Sequence, residues 1–302
     1  MDPRKRLRRT RLYVPGNNPA MVFNAGVFGP DSIIFDLEDS VAVNEKDAAR
    51  LLVRNALLEV DYGRSERTVR INGFDTPFFE DDVRTIVAAC PDAIVLPKTE
   101  SAKQVQELAD LIAEIEEKNN IPVGTVKIMP IIESAKGVIH SDEIAFAHER
   151  VVGISPGGED LTADLNAIRT KEGTELMYVR QKLIVSAAAA KIQIWDTVYS
   201  NIDDINGLIE NTKKIISMGF SGKACIHPKQ IEPIHKAFTP TEEEISRAKR
   251  IVTQYQVSLN QGVGAIAVDG RMIDVPVYNR ALYLLRRAKA AGYPLEGINL
   301  EE

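Results

Sequence analysis

The sequence predicts a (β/α)8 barrel, an α/β fold, followed by a C-terminal helix–hairpin–helix extension. Three observations carry that prediction. Eight apolar runs of strand length alternate with helical stretches between residues 11 and 228. The chain has 302 residues, enough for a barrel of about 250. No GxGxxG follows the first run, which weakens the rival, a doubly wound open sheet holding a dinucleotide.

The first run, residues 11–15, ends at Gly16-Asn17-Asn18, and Pro19 suits the first turn of a short helix. The second, residues 32–39, ends in Asp36, Glu38 and Asp39 and precedes a helix over 45–58. Residues 68–73 and 93–98 are the third and fourth. A helix over 101–118 follows, with Val105, Leu108, Leu111, Ile112 and Ile115 at the spacing of one buried face. The fifth and sixth runs, 127–133 and 151–160, each stop at an acid, Glu133 and Asp160, with a helix expected over 135–149 between them. Residues 174–191 read as a helix, 192–199 as the seventh strand, 205–218 as a helix stopped by Gly219, and 221–228 as the eighth strand.

Beyond Pro228 the pattern changes. Thr241 and Glu244 form a capping box for a helix to about Asn260. Asp269-Gly270 predicts a type I′ turn between 265–268 and 271–274, and a last helix covers 277–290. The expected division is a catalytic barrel over 1–235 and an extension over 236–302 acting as a lid or subunit contact.

Composition narrows the class. The chain is 44% hydrophobic and 26% charged, ordinary for a globular protein. A net charge of −6 argues against nucleic acid as a partner. No apolar run approaches the roughly 18 residues that span a bilayer, and no signal-peptide core is evident, so a cytoplasmic location without membrane contact is expected. Cys90 and Cys225 lack the spacing of a disulfide framework or a zinc site. The basic segment with Arg4, Lys5, Arg6 and Arg8 reads as a solvated entry segment rather than a targeting signal, and could also meet an anion.

In a barrel the strand ends share one rim. Here they deliver Asp36, Glu38, Asp39, Arg70, Lys98, Glu133, Asp160, Asp196 and His227. Oxygen-only ligation suits Mg2+, which binds through one or two carboxylates and keeps waters. Glu133 and Asp160 can take that role, but spacing alone favours N-caps or first-turn acids stabilising their helices by about 0.3–1 kcal/mol. Arg70 fits either a structural ion pair or a two-pronged hold on a substrate carboxylate. Glu38 and Asp39 are expected behind the site, orienting metal-bound waters or Arg70. Lys98 could form a Schiff base, although neutralising nearby acids is favoured. His227 reads as structural, and His140, His148 and His235 as surface residues.

As an ordered set, the motifs resemble the citrate lyase β-subunit family. They are YVPGNNPAM at Tyr13–Met21, FDLEDSV at Phe35–Val41, VRIN at Val69–Asn72, LPK at Leu96–Lys98, IES at Ile132–Ser134, GED at Gly158–Asp160, DTVY at Asp196–Tyr199 and MID at Met272–Asp274. The resemblance covers residues 8–290. It implies a barrel of the phosphoenolpyruvate/pyruvate type, Mg2+ dependence and a homotrimer or homohexamer. It implies Glu133 and Asp160 as metal ligands, with Glu133 and Gly158 also lining the substrate. Arg70 is implied to hold a substrate carboxylate and stabilise developing charge, assisted by Glu38 and Asp39. Asp274 is implied to close over a neighbouring subunit's site as acid/base.

The reaction implied is cleavage of citryl-acyl carrier protein to oxaloacetate and an acetyl thioester, in a complex with acyl carrier and acyltransferase subunits. Two stretches depart from the family pattern. Ser155-Pro156-Gly157-Gly158 stands where Ala-Leu-Gly-Ala is usual, and Ile226-His227-Pro228 is closer to relatives acting on CoA thioesters. A malyl-CoA or citramalyl-CoA lyase therefore remains an alternative. Further rivals are an aldolase working through Lys98 and a scaffold subunit without activity. Arg8, Arg9 and Arg11 are candidates for the phosphate of the carrier's pantetheine arm.

Overall fold

Eight parallel strands follow one another round a closed ring, and the last pairs back with the first. They are β1 (Thr10–Pro15), β2 (Ser32–Asp36), β3 (Glu66–Arg70), β4 (Ala93–Leu96), β5 (Lys127–Ile132), β6 (Gly153–Pro156), β7 (Gln193–Asp196) and β8 (Gly222–Cys225). This is the (β/α)8 barrel, and the ring closure disposes of the open sheet. The computed structural model describes Arg4 and residues 6–295, so Lys5 of the basic segment lies outside the described residues.

Burial on both faces explains why the strands read as unbroken apolar runs. Ile34, Ala93, Val95, Met129, Ile131, Val152 and Trp195 form the cluster inside the ring, while residues such as Ile33 and Phe35 are buried as well. Beneath that cluster Arg8 enters the protein instead of staying solvated, while Arg4 and Arg6 are exposed as expected. Arg8 donates to both oxygens of Glu66 at 2.7 Å and to Gln193 at 2.6 Å. Arg9 is held by Asp31. The Arg11 guanidinium lies 4.2 Å from the Trp195 ring, and burial lowers its pKa to about 10. These three sit before or at the start of β1, away from the rim where the strands end, so they are not available to a carrier phosphate there.

Several helices differ from expectation. The stretch over 135–149 divides into Ala135–Ile139 and Ser141–Ala145. His140 breaks it, with φ −92° and ψ 8°, and turns its ring toward the Glu100 carbonyl 3.0 Å away. Phe79–Val87, Gly158–Asp164 and Ile231–Phe238 are helices that the pattern did not announce. Gly158–Asp164 is too short to show a period, whereas Phe79–Val87 buries Val83, Ile86 and Val87 on one face, a spacing the sequence did carry.

The chain divides into two compact units, Met1–His235 and Lys236–Glu302. In the second, the helix Glu242–Asn260 starts on the expected capping box of Thr241 and Glu244. Asp269 (φ 51°) and Gly270 (φ 72°) make the turn between β9 (Ile266–Val268) and β10 (Arg271–Ile273), both left-handed as a type I′ turn requires. The last helix, Val275–Ala290, begins two residues earlier than expected, capped by Asp274. Tyr255, Leu285, Val252 and Ile273 lie in that unit's core.

Asp196, a rim candidate by position, is a buried structural anchor. Arg180 reaches it at 2.8 and 3.1 Å and Lys223 at 2.8 Å. Burial pushes its carboxyl up, but Lys223 and Arg180 outweigh that and leave it below the ordinary value. Removing the carboxylate strands two buried cations. Asp196→Ala is expected to cost about 3–5 kcal/mol in urea unfolding; a loss under about 1 kcal/mol would show that the triad is not structural.

Candidate active site

The rim is built strand by strand. β2 ends at Asp36, whose carboxylate accepts the N–H groups of Glu38 (3.0 Å) and Ser40 (3.1 Å), wrapping the following turn around itself. Lys46 donates to the carbonyls of Leu37 (2.8 Å) and Glu38 (2.6 Å), and Asn72 donates to Leu37 at 3.0 Å. Glu38 is thereby fixed at the barrel mouth.

β3 ends at Arg70, the register partner of Asp36. Its Nε and Nη2 donate to the two Asp36 oxygens at 2.6 and 2.7 Å, and its guanidinium lies 5.2 Å from the Tyr13 ring. Burial opposes the charge, but Asp36 outweighs it and keeps Arg70 protonated. The two-pronged edge expected for a substrate carboxylate is therefore occupied, because a buried arginine needs its own counter-ion. Only Nη1 remains, 2.8 Å from Glu38 Oε2 and 3.7 Å from the exposed Asp39.

Lys98 follows β4 in the left-handed region, φ 48°, a conformation that non-glycine residues rarely adopt. That twist aims its backbone N–H at Glu133 Oε1, 2.5 Å away. Its Nζ lies 3.3 Å from Glu38 Oε1. Burial pulls the ammonium down, yet Glu38 raises it above its ordinary value. A Schiff-base lysine needs the opposite shift, so Lys98 neutralises acids, as favoured.

Glu133 caps β5 and is 4% exposed. Burial, then the neighbouring Glu38 and Asp160 carboxylates, push its pKa up to about 8, against the pull of the Lys98 N–H and Arg70. Gly157, after β6, passes so close that a Cβ there would stand 2.2 Å from Glu133 Oε2. Gly158 donates its N–H to Thr197 Oγ1 at 3.1 Å, so that N–H is not free for a substrate. Asp160 follows in the first turn of Gly158–Asp164, exposed. Glu133 and Asp160 share a cavity of about 530 Å³ with Phe74, Asp75, Lys98 and Glu100.

These contacts leave a distinctive charge pattern. Arg70 and Lys98 pair with Asp36 and Glu38, and among the described residues no ion pair reaches Glu133 or Asp160. Both buried oxygens of Glu38 lie near cations without an aligned hydrogen bond, so they retain acceptor capacity for water. Among the described residues, no three His, Cys, Asp or Glu side chains form a closed ligand shell. Two adjacent, uncompensated carboxylates open to a cavity suit Mg2+, which takes one or two protein carboxylates and keeps its waters.

The remaining candidates have other work. His227 accepts the Lys229 N–H as a cap, and His235, expected at the surface, is half-buried against Thr10 at 2.8 Å. Glu159 pairs with Arg169. Asp274 belongs to the second unit, where its Oδ1 accepts the Val277 N–H at 3.2 Å. The roles of Asp36, Lys46, Asn72 and Thr197 were not read from sequence. Asp36 carried a usable signal, an acid at a strand end facing an arginine at the next, whereas Lys46 sits in a helix start with no local mark.

The raised Glu133 gives a pH test. The folded chain holds this proton between about pH 4.5, the ordinary value, and about pH 8, whereas the unfolded chain has lost it. The group's contribution to stability is therefore largest at low pH and falls as pH rises through that window. The metal-free Tm is expected to decline over this range, and Glu133→Gln to flatten the decline. Identical slopes in both proteins would contradict the shift.

Residues 9–228 match the family model described as HpcH/HpaI aldolase/citrate lyase. The citrate lyase subunit beta of Leuconostoc mesenteroides subsp. cremoris is 47% identical over 286 residues, covering 95% of either chain. The mitochondrial citramalyl-CoA lyase of Homo sapiens is 32% identical over 91% of this chain and 83% of its own. Among solved structures, CitE of Mycobacterium tuberculosis in complex with magnesium, acetoacetate and coenzyme A superposes with a TM-score of 0.78 at 32% identity, covering 94% of this chain and 99% of its own. Fold, motifs and relatives converge: the chain belongs to the HpcH/HpaI aldolase/citrate lyase family.

Proposed function

We propose that the protein is a carbon–carbon lyase that cleaves a citryl thioester into oxaloacetate and an acetyl thioester, as the β subunit of a citrate lyase. The observation that carries this reading is the uncompensated pair Glu133 and Asp160 beside a permanently charged Arg70, in a chain so similar to a citrate lyase subunit beta. Glu133 and Asp160 would hold Mg2+, the ion of the CitE complex. When bound, it supplies Lewis acidity toward the substrate's hydroxyl and carboxylate oxygens.

The chain's own residues do the rest. Cleavage needs the substrate hydroxyl to lose its proton, the C–C electron pair to move to the thioester α-carbon, and that carbon to be protonated. Arg70, held in place by Asp36 with Nη1 turned to Glu38, supplies a fixed positive charge beside the substrate carboxylate and the developing negative charge. Glu38, between Arg70 and Lys98, keeps both cations oriented. Asp274 of a neighbouring copy would transfer the proton to the α-carbon. Its Oδ1 caps a helix, leaving the other oxygen for that task. The partners implied are acyl carrier and acyltransferase subunits, with the chain itself in a homotrimer or homohexamer.

A second reading, cleavage of citramalyl-CoA or malyl-CoA, draws support from the coenzyme A in the CitE complex. Citryl, citramalyl and malyl groups presented on CoA and on acyl carrier protein separate the two. Citryl-acyl carrier protein is expected to give the highest kcat/KM, with activity lost in EDTA. A higher value for a CoA thioester moves the substrate to the second reading, and no cleavage of any thioester with Mg2+ leaves only a scaffold.

Glu133→Gln and Asp160→Asn are expected to lower kcat/KM by more than the roughly 10–100-fold typical of losing an outer partner of a metal ligand. Borohydride with substrate should trap no adduct on Lys98. Asp274→Asn preserves the helix cap, which alanine would lose at about 1 kcal/mol, but cannot carry the proton. Mixed oligomers of Asp274→Asn and Glu133→Gln should regain activity that neither variant has. Absence of regain in verified mixed oligomers would show that Asp274 does not act across subunits.

A further inference from the structure

Gly157 and Gly158, the second of which departs from the family pattern, lie between two neighbours that crowd any added Cβ. A Cβ on Gly157 would stand 2.2 Å from Glu133 Oε2, and one on Gly158 would stand 2.8 Å from Thr197 Oγ1. Two hydrogen bonds fix this stretch sideways. On the β5 side, the Gly157 N–H donates to the Ile132 carbonyl at 2.9 Å. On the β7 side, the buried Gly158 N–H donates to Thr197 Oγ1 at 3.1 Å. That N–H is one of those a helix's first turn cannot satisfy internally, and Asp160 stands in the same turn.

Thr197 is itself immobilised. It is 5% exposed, and Lys223 Nζ donates to its carbonyl at 2.9 Å while also holding the adjacent Asp196. We infer that Thr197 is a positioning residue whose hydroxyl, through Gly158, sets Asp160 against Glu133 and so sets the affinity of that pair for a divalent cation. The inference rests on the reading of Glu133 and Asp160 as metal ligands. Without the hydroxyl, the buried Gly158 N–H has no acceptor and the turn moves to find one, carrying Asp160 with it. With glycine at 157, no side chain of that residue resists the movement.

The test is Mn2+ binding to the substrate-free full chain, by calorimetry or by the electron paramagnetic resonance of free Mn2+, with metal-free Tm measured alongside. Thr197→Val, which removes the acceptor and keeps the shape, should weaken Mn2+ binding about tenfold, Thr197→Ser should stay within about twofold of the parent, and Asp160→Asn should bind more weakly than either. A merely structural threonine would lower Tm in Thr197→Val and leave the Mn2+ affinity unchanged. That result, with Asp160→Asn still weakened, overturns the positioning role and spares the ligand assignment. Unchanged affinity in Asp160→Asn overturns both. Should Thr197→Val not fold, Thr197→Ala against Thr197→Ser isolates the hydroxyl by the same criterion, equal affinities overturning the inference.

Discussion

A single barrel rim gathers more carboxylates than its cations serve, and the site follows from how that imbalance is distributed. Asp36 takes the fork of Arg70, and Glu38 takes Lys98 and the remaining edge of Arg70. Both arrangements are fixed by buried backbone contacts through Lys46 and Asn72. Glu133 and Asp160 are left without a cationic partner. Burial then makes the ionised form of Glu133 costly, and its proton is retained to about pH 8. Such a pair costs stability while empty, a cost that the proposed divalent ion would relieve.

The barrel supplies the precision. Asp36 and Arg70 meet because they are register partners on β2 and β3. The next contacts pass along the rim from strand end to strand end: the Lys98 N–H to Glu133, the Gly157 N–H to Ile132, the Gly158 N–H to Thr197, and Lys223 to Thr197 and Asp196. Neighbouring strand ends at the mouth are thus tied to one another. Charged groups can be kept at a fixed spacing there although they repel, the arrangement that electrostatic preorganisation requires.

Much of this was legible in the residues. Buried strands announce themselves as apolar runs, so the eight-fold alternation and the acids at Glu133 and Asp160 could be placed. Thr241 with Glu244 and Asp269 with Gly270 are local signals whose physics is complete within four residues, and both appear as expected. What resisted was long-range. That Arg70 gives its fork to Asp36 depends on strand register over 34 residues. Arg8 reads as solvated and Arg11 as open to a carrier phosphate because their partners Glu66 and Trp195 are remote in sequence. The short helix Gly158–Asp164 has too few turns to show a period. Thr197 lies in the DTVY motif, but its role shows only once Gly158 is seen against it.

The central claim is that Glu133 and Asp160 together hold one divalent cation. Anomalous diffraction at the manganese edge from crystals grown with Mn2+ tests it most directly. The expected result is a single strong peak on the barrel rim, with one oxygen of Glu133 and one of Asp160 each about 2.1 Å away and waters completing the shell. A peak bound by Asp36 or Glu38 instead, or no peak at the rim under saturating Mn2+, would contradict it.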